Sequence, residues 1–444
     1  MSESRLPLLD SKKYLNLVTE HRGGRLIGKI CQVIGLVVEA SGIRPFIGEI
    51  CRIETAPGRS VPAEVVGFRA DRCLLMPYGE LKGVSPGCRV FPTGKSFTVR
   101  VGESLLGRVL DGLGRDLATG KAPLASGEGE ECAVHRSPPN PMERAPINDI
   151  LLTGIKAIDS LLTCGRGQRL GIFAGSGVGK STLLGMIARH GQADVNVIAL
   201  IGERGREVGD FIRRDLGPGG LNRSVVVAAT SDRPPLERVT AGLVAKTIAE
   251  YFRDQGIHVT FMMDSVTRFC MAQREIGLAV GEPPSARGYT PSVFAQLGRF
   301  LERSGTARRG SITGFYSVLV DGDDFNEPIT DAARSILDGH IILSREIASQ
   351  NRYPAIDILR SNSRLMPHLI GREQAAAADE IRELLATYES MEDLINIGAY
   401  TAGSQKNIDR AMEKRDQILG FLQQERDHQY SWAETLSLMK KIIE

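Results

Sequence analysis

The 444-residue sequence predicts an α/β protein built on a mostly parallel, doubly wound sheet, with a small β-barrel before it and a helical domain after it. Three observations predict this architecture. Between residues 93 and 366, short apolar runs of strand length alternate with helix-length amphipathic stretches. Between 24 and 92, β-rich runs recur at even spacing with turn residues between them. From 367 to 444 the periodicity is helical throughout.

Residues 1–23 stand apart as an arm. Leu6, Leu8, Leu9, Leu15, Leu17 and Val18 lie among Lys12, Lys13 and Arg22, a pattern open to a short amphipathic docking helix or a frayed terminus. The barrel rests on the runs 30–39, 49–54 and 63–68, separated by turn residues such as Ser41-Gly42 and Ala56-Pro57-Gly58. In the core, the apolar run Arg169–Phe173 is followed by a glycine-rich stretch and then a helix with Leu183, Met186 and Ile187 on one face. Val195–Ile201 reads as a strand, with a helix near 206–214. Val225–Ala229 leads into a helix over roughly 235–255, and Val259–Asp264 is a further strand. In the last domain Ile381, Leu384, Leu385 and Tyr388 mark one helical stripe, and Ile408, Ala411, Met412 and Leu422 another.

Composition narrows the class. Hydrophobic residues make up 42% and charged residues 24%, as in soluble globular proteins. A net charge of +2 gives no reason to invoke nucleic acid or an anionic membrane surface. The seven cysteines include no C-x-x-C pair, so reduced thiols in a cytosolic protein are expected, and a zinc site has no ligand spacing behind it. No run approaches the ~18 apolar residues of a spanning helix, and the acidic N-terminus lacks a signal peptide's apolar core.

The stretch Ala174-Gly175-Ser176-Gly177-Val178-Gly179-Lys180-Ser181, running into Thr182, lies between a strand and a helix. Its glycines let the backbone wrap a phosphate chain, its lysine reaches the β- and γ-phosphates, and its serine hydroxyl ligates Mg²⁺. The consensus for such loops has glycine where this chain has Ala174. Asp264 ends an apolar strand, where a carboxylate holds Mg²⁺ through water; the two loops are expected at the carboxyl edge of neighbouring strands. Glu203, after the strand ending at Ile201, is placed to orient and polarise an attacking water, or is a solvated partner of Arg204 and Arg206. Arg204 stands with Glu203 and Lys180 in the candidate catalytic set. Glu207 assists the metal's water shell or caps the following helix. Tyr353 offers an aromatic face to adenine or is a core residue, and Arg364 is by spacing one surface arginine among many.

Together these residues resemble the flagellum-specific ATPase family, the type III export ATPases, cousins of the catalytic β subunit of rotary ATP synthases. The resemblance rests on Gly165-Arg166-Gly167-Gln168-Arg169, Phe173 through Ser181, Ile201 through Val208, and Asp264-Ser265-Val266-Thr267-Arg268-Phe269. It continues through Ala272-Gln273-Arg274-Glu275-Ile276, Gly281-Glu282-Pro283-Pro284, Pro291-Ser292-Val293-Phe294-Ala295 and Ile336 through Arg345. It covers nearly the whole chain from about residue 24, and within it Ala174 is the usual residue. It implies a P-loop, RecA-like core, hydrolysis of ATP with Mg²⁺, Glu203 as the catalytic carboxylate, Arg364 as an arginine finger acting in trans and Tyr353 as the adenine-stacking residue. It also implies a homohexameric ring, a stator-like regulatory protein at the N-terminal arm, an export gate, a stalk-like protein and chaperone–substrate complexes as partners. The expected location is cytoplasmic, peripheral to the inner membrane through those partners.

One departure bears on coupling. The rotary β subunit carries an acidic loop in its C-terminal domain, whereas the matching stretch here, 398–407, is not acidic. Competing expectations are an injectisome ATPase, a Rho-like RNA translocase and a non-catalytic nucleotide-binding subunit. The Rho-like reading wants stacking aromatics on a basic barrel. Residues 24–92 offer only Phe46, Phe68, Tyr78 and Phe91, interleaved with acids.

Overall fold

A computed structural model describes residues 26–125, 127–320 and 324–444, so the 1–23 arm lies outside the described residues. The chain divides into two compact units, one ending at Phe97 and the other beginning at Thr98.

The first unit is a closed antiparallel barrel. Its strands are β1 (Gly28–Ile34), β2 (Val37–Ser41), β3 (Glu49–Ala56), β4 (Arg59–Arg69), β5 (Arg72–Pro77) and β6 (Arg89–Ser96), in the order β1-β2-β5-β4-β3-β6. Ile30, Val38, Ile53, Val65, Leu75 and Val90 fill the interior. The apolar run 30–39 is two strands, because the chain reverses at Gly35, whose φ of +56° is left-handed. The last strand continues to Ser96, four residues past the boundary expected from composition.

The second unit holds the parallel sheet. Its strands are β7 (Val109–Asp111), β8 (Arg169–Ala174), β9 (Val195–Ile201), β10 (Ser224–Ala229), β11 (His258–Asp264), β12 (Gly305–Thr306), β13 (Ser311–Leu319), β14 (Gly339–Leu343) and β15 (Ile356–Ser363). Among the described residues the order is β15-β14-β8-β13-β11-β9-β10-β7, with β12 added antiparallel to β13 and β15 antiparallel to β14. The other pairs are parallel. Every residue of β9 and β10 is buried, which explains their largely apolar sequences: both faces of the sheet are covered, and the two polar members, Asn196 and Ser224, hydrogen-bond each other.

The helices that matter for the site are α1 (Lys156–Leu161), α2 (Lys180–His190), α3 (Gly205–Asp210), α4 (Pro235–Asp254), α5 (Val266–Val280) and α6 (Pro291–Glu302). Three further helices close the chain: α7 (Arg372–Asn396), α8 (Lys406–Leu422) and α9 (Trp432–Ile443). They share one core with the sheet, since Ile381, Leu384, Ala411, Ile418, Phe421 and Met439 join Ile158, Leu170 and Ile172 in a continuous apolar cluster. Met412, expected on the buried stripe, is exposed. The non-acidic stretch 398–407 is the turn from α7 to α8, pinned by Asp409, which accepts the Gly403 N–H and the Tyr400 hydroxyl. All seven cysteines are free thiols. Among the described residues, no helix is long and apolar enough to cross a membrane.

Candidate nucleotide site

The glycine-rich stretch joins β8 to α2. Gly177 and Gly179 adopt φ of +80° and +89°, conformations that cost a side-chain-bearing residue heavily. Gly179 is the N-cap of α2 and supplies no side-chain cap, so the first N–H groups and the positive dipole end are left for an anion. A Cβ on Gly179 would lie 3.4 Å from the Tyr353 ring, and one on Gly175 would lie 2.6 Å from Arg345 Nε. The loop is therefore covered at one end by an aromatic ring and at the other by a guanidinium.

Lys180, the first residue of α2, donates through Nζ to Asp264 Oδ1 at 2.6 Å and lies 4.0 Å from Glu203 Oε1. Asp264 is 4% exposed and also accepts the Ser317 hydroxyl at 2.7 Å. The expected adjacency of the two loops is corrected here: β13 lies between β8 and β11, and it is β13 that contributes Ser317. Leu200 of β9 pairs with Asp264 of β11, which brings Glu203, just past β9, to the same sheet edge.

Glu203 is the perturbed group of the site. Burial first, and then the Asp264 charge, push its pKa up to about 7, against the opposing pull of Lys180. Glu207, in the first turn of α3, accepts a hydrogen bond from Glu203 and is held below the usual carboxylate range chiefly by that bond. Glu207 also caps α3 by accepting the Arg204 N–H at 3.4 Å.

Not every expected residue converges. The Arg204 side chain is 83% exposed and pairs with Glu207 at 3.3 Å, facing solvent and not Lys180 or Asp264. Ser181 and Thr182 are half-buried at the start of α2, and Thr182 donates to Asp215. Tyr353, 42% exposed, lines an open cavity of about 470 Å³ with Gly420, Gln424 and Tyr430; its carbonyl accepts the Gln424 N–H at 3.0 Å. Arg364 follows β15, whose end Ser363 pairs with Gly339 at the start of β14, whereas the phosphate loop leaves the other end of the sheet, beside Leu343. Four residues of strand, roughly 13 Å, separate those two levels. Arg364 is exposed there, its side chain donating to the Arg334 carbonyl at 3.3 Å and its backbone N–H to the Asp338 carbonyl at 3.0 Å.

Two residues at the site escaped the sequence reading. A serine in an otherwise buried strand was the available signal for Ser317, because buried polar groups need partners. Arg345 had no local signal; the fold alone brings it to Gly175.

The metal donors fit Mg²⁺. Among the described residues no group of three or more His, Cys, Asp or Glu side chains could hold a metal. The site offers one buried carboxylate, Asp264, and one hydroxyl, Ser181, the sparse oxygen set that Mg²⁺ completes with phosphate oxygens and water.

Residues 154–363 match the ATP synthase alpha/beta family nucleotide-binding domain, residues 30–94 the beta-barrel domain of that family, and residues 370–441 the T3SS EscN ATPase C-terminal domain. The chain is 52% identical over 417 residues to a flagellum-specific ATP synthase of Bacillus subtilis, covering 94% of each chain. It is 48% identical over 439 residues to a type 3 secretion system ATPase of Xanthomonas euvesicatoria, covering 99% of this chain and 98% of that one. The solved structure of the assembled ATPase EscN from the enteropathogenic E. coli type III secretion system aligns with a TM-score of 0.88 at 45% identity, over 94% of this chain and 100% of that one.

Proposed function

We propose that this chain, which belongs to the ATP synthase alpha/beta family and is an ATP-hydrolysing enzyme, serves a flagellar type III protein export system as a homohexameric ring. The observation that carries the catalytic assignment is the cluster of Lys180, Asp264 and Glu203 at one sheet edge, beside a loop with two left-handed glycines.

In this reading the α2 N-terminus and the loop backbone receive the phosphate chain, and Lys180 places its ammonium on the β- and γ-phosphates. Ser181 and Asp264 would hold Mg²⁺, which would offset the negative charge of the phosphate oxygens. Glu203 orients the attacking water and accepts its proton, a role suited to a carboxyl titrating near neutrality. Tyr353 lines the adenine side. Arg364 completes a neighbour's site, a role supported by its place at the far end of the strands from its own phosphate loop. Arg204 assists only after leaving Glu207. The ring delivers export substrates from chaperones at the cytoplasmic face of the export gate, with a stator-like protein on the N-terminal arm and a stalk-like protein in contact. The solved complex of EscN with its central stalk EscO supports the stalk contact.

A second reading, an injectisome ATPase, is favoured by the near-complete coverage of the Xanthomonas relative. One experiment addresses chemistry and pathway together. Glu203→Gln protein should bind Mg-ATP with wild-type affinity and lose roughly 10²-fold or more in turnover. In a gene-deletion strain only wild type should restore flagellar filaments. Turnover retained by the variant would sink the carboxylate assignment, and normal filaments in the deletion strain would move the protein to an injectisome.

A further inference from the structure

Between β14 and β15 the chain crosses the nucleotide site as a strap over Ser344–Pro354. Its front touches the phosphate loop at both ends, through Arg345 at Gly175 and Tyr353 at Gly179. Behind it, against α7 and α8, lies a separate cavity of about 180 Å³. Ile347 of the strap, Leu385 of α7 and Leu419 of α8 form apolar walls.

The polar groups inside this cavity are mismatched. Arg352 has its Nε buried with no hydrogen-bond partner; Nη2 donates to Gln350 Oε1 at 2.5 Å. Arg415 lies over the Tyr388 ring, 4.4 Å from its centroid, and 3.8 Å from Glu392. Burial, and next the Arg415 charge, depress the Arg352 pKa against the opposing pull of Glu392; Arg415 is also held by the exposed Asp416 at 3.5 Å. A buried guanidinium donor left unpaired costs free energy that an anionic acceptor would recover. The other acids at the cavity favour a ligand of low charge. Glu346 and Glu389 are exposed at its mouth, and Asp357 already accepts the Arg360 N–H at 3.0 Å. These would repel a polyanion and tolerate a single carboxylate that enters with an apolar body.

We propose that this cavity is a binding site for a small amphipathic monocarboxylate, seated with its head on Arg352 and Arg415, and that its occupancy is coupled through the strap to the nucleotide site. The binding half stands on the cavity alone. The coupling half rests on the ATP reading given above.

Calorimetric titration of sodium octanoate into the full chain, without nucleotide, tests the binding half. Saturable binding of one octanoate per chain is expected, weakened at least ~10-fold by Arg352→Gln, the loss expected for a charge-assisted hydrogen bond. Octanol and octylammonium should bind at least ~10-fold more weakly than octanoate, since neither offers an anionic acceptor. Leu419→Trp, which fills the cavity and leaves both arginines in place, should abolish binding and decides the matter if Arg352→Gln does not fold. Equal binding of octanol and octanoate, or octanoate binding that survives Leu419→Trp, overturns the site. For the coupling half, saturating octanoate should change Mg-ATP affinity by at least ~3-fold in wild type and leave it unchanged in Leu419→Trp. An unchanged affinity in wild type overturns the coupling. Failure to bind Mg-ATP at all would refute the ATP reading and leave the nucleotide-free titration to judge the cavity by itself.

Discussion

Glu203 faces two opposing demands. Its surroundings favour the protonated form, because burial and Asp264 raise its pKa to about 7, yet orienting a water requires the carboxylate. The kcat/KM for ATP hydrolysis should therefore fall on the acid side with an apparent midpoint near 7 and level off above it. A pH–rate profile flat from pH 6 to 8 would contradict this. The same shift has a thermodynamic signature. A carboxyl whose folded pKa is raised from 4.5 to about 7 stabilises the fold below the lower value, and that contribution is lost as pH rises through the upper one. In urea unfolding without nucleotide, wild type should thus lose stability relative to Glu203→Gln between roughly pH 4.5 and 7. The phosphate loop was readable from sequence because its lysine and glycines are contiguous. Glu203 was readable only as one of two alternatives, since its burial and its neighbour Asp264 come from a strand 60 residues away in sequence (264 against 203, roughly).

At the scale of elements, α4 is fixed to the sheet by two buried cations of opposite energetic character. Arg303, just past α6, is 1% exposed and forks onto Glu250 of α4 at 2.7 and 2.9 Å, with further bonds to the Val134 carbonyl and Thr247. Lys246, one turn earlier on α4, is fully buried without a carboxylate contact; its amine donates to Ser304 and Tyr316 and sits 3.6 Å from the centre of the Phe261 ring. Removing Arg303 strands a buried carboxylate, since Glu250 keeps only Arg136 at 3.6 Å. Arg303→Met should cost about 3–5 kcal/mol. Lys246→Met should cost far less, because Ser304 and Tyr316 already hydrogen-bond each other at 2.7 Å and the aromatic box accepts a thioether. Urea denaturation of the two variants checks the contrast; equal losses would mean that the lysine contributes as much as the ion pair. Neither clamp was legible in the sequence, where both cations sit on ordinary helical patterns. Strand identities in the sheet were legible because β9, β10 and β11 are mostly apolar runs of strand length, but their order was not: nothing in the chain announces that β13 inserts between β8 and β11. In the barrel, the apolar run 30–39 concealed a hairpin because only the φ of Gly35 breaks it.

At the scale of the whole molecule, the two halves of the proposed catalytic machinery stand at opposite ends of the strands of one sheet. The phosphate loop leaves β8 beside Leu343, whereas Arg364 follows Ser363 at the level of Gly339. A chain that carries a loop at one end of its strands and an arginine at the other is suited to a head-to-tail assembly in which each contact pairs a loop with a neighbour's arginine, and closure of that assembly leaves no contact incomplete. This yields a prediction that an arginine acting within its own chain cannot satisfy. Glu203→Gln and Arg364→Ala should each be nearly inactive as pure assemblies while still binding Mg-ATP. Mixed after dissociation and reassembly, they should regain activity, because a contact between an Arg364→Ala chain's loop and a Glu203→Gln chain's arginine has both groups intact. Random mixing in equal parts gives such contacts at roughly one in four, so recovery approaching a quarter of wild-type turnover is expected if contacts act independently. Steady-state ATPase rates across mixing ratios check this, with a maximum at equal parts. A mixture no more active than its components would place the arginine in its own chain's machinery or outside the chemistry, and the ring would lose its catalytic rationale.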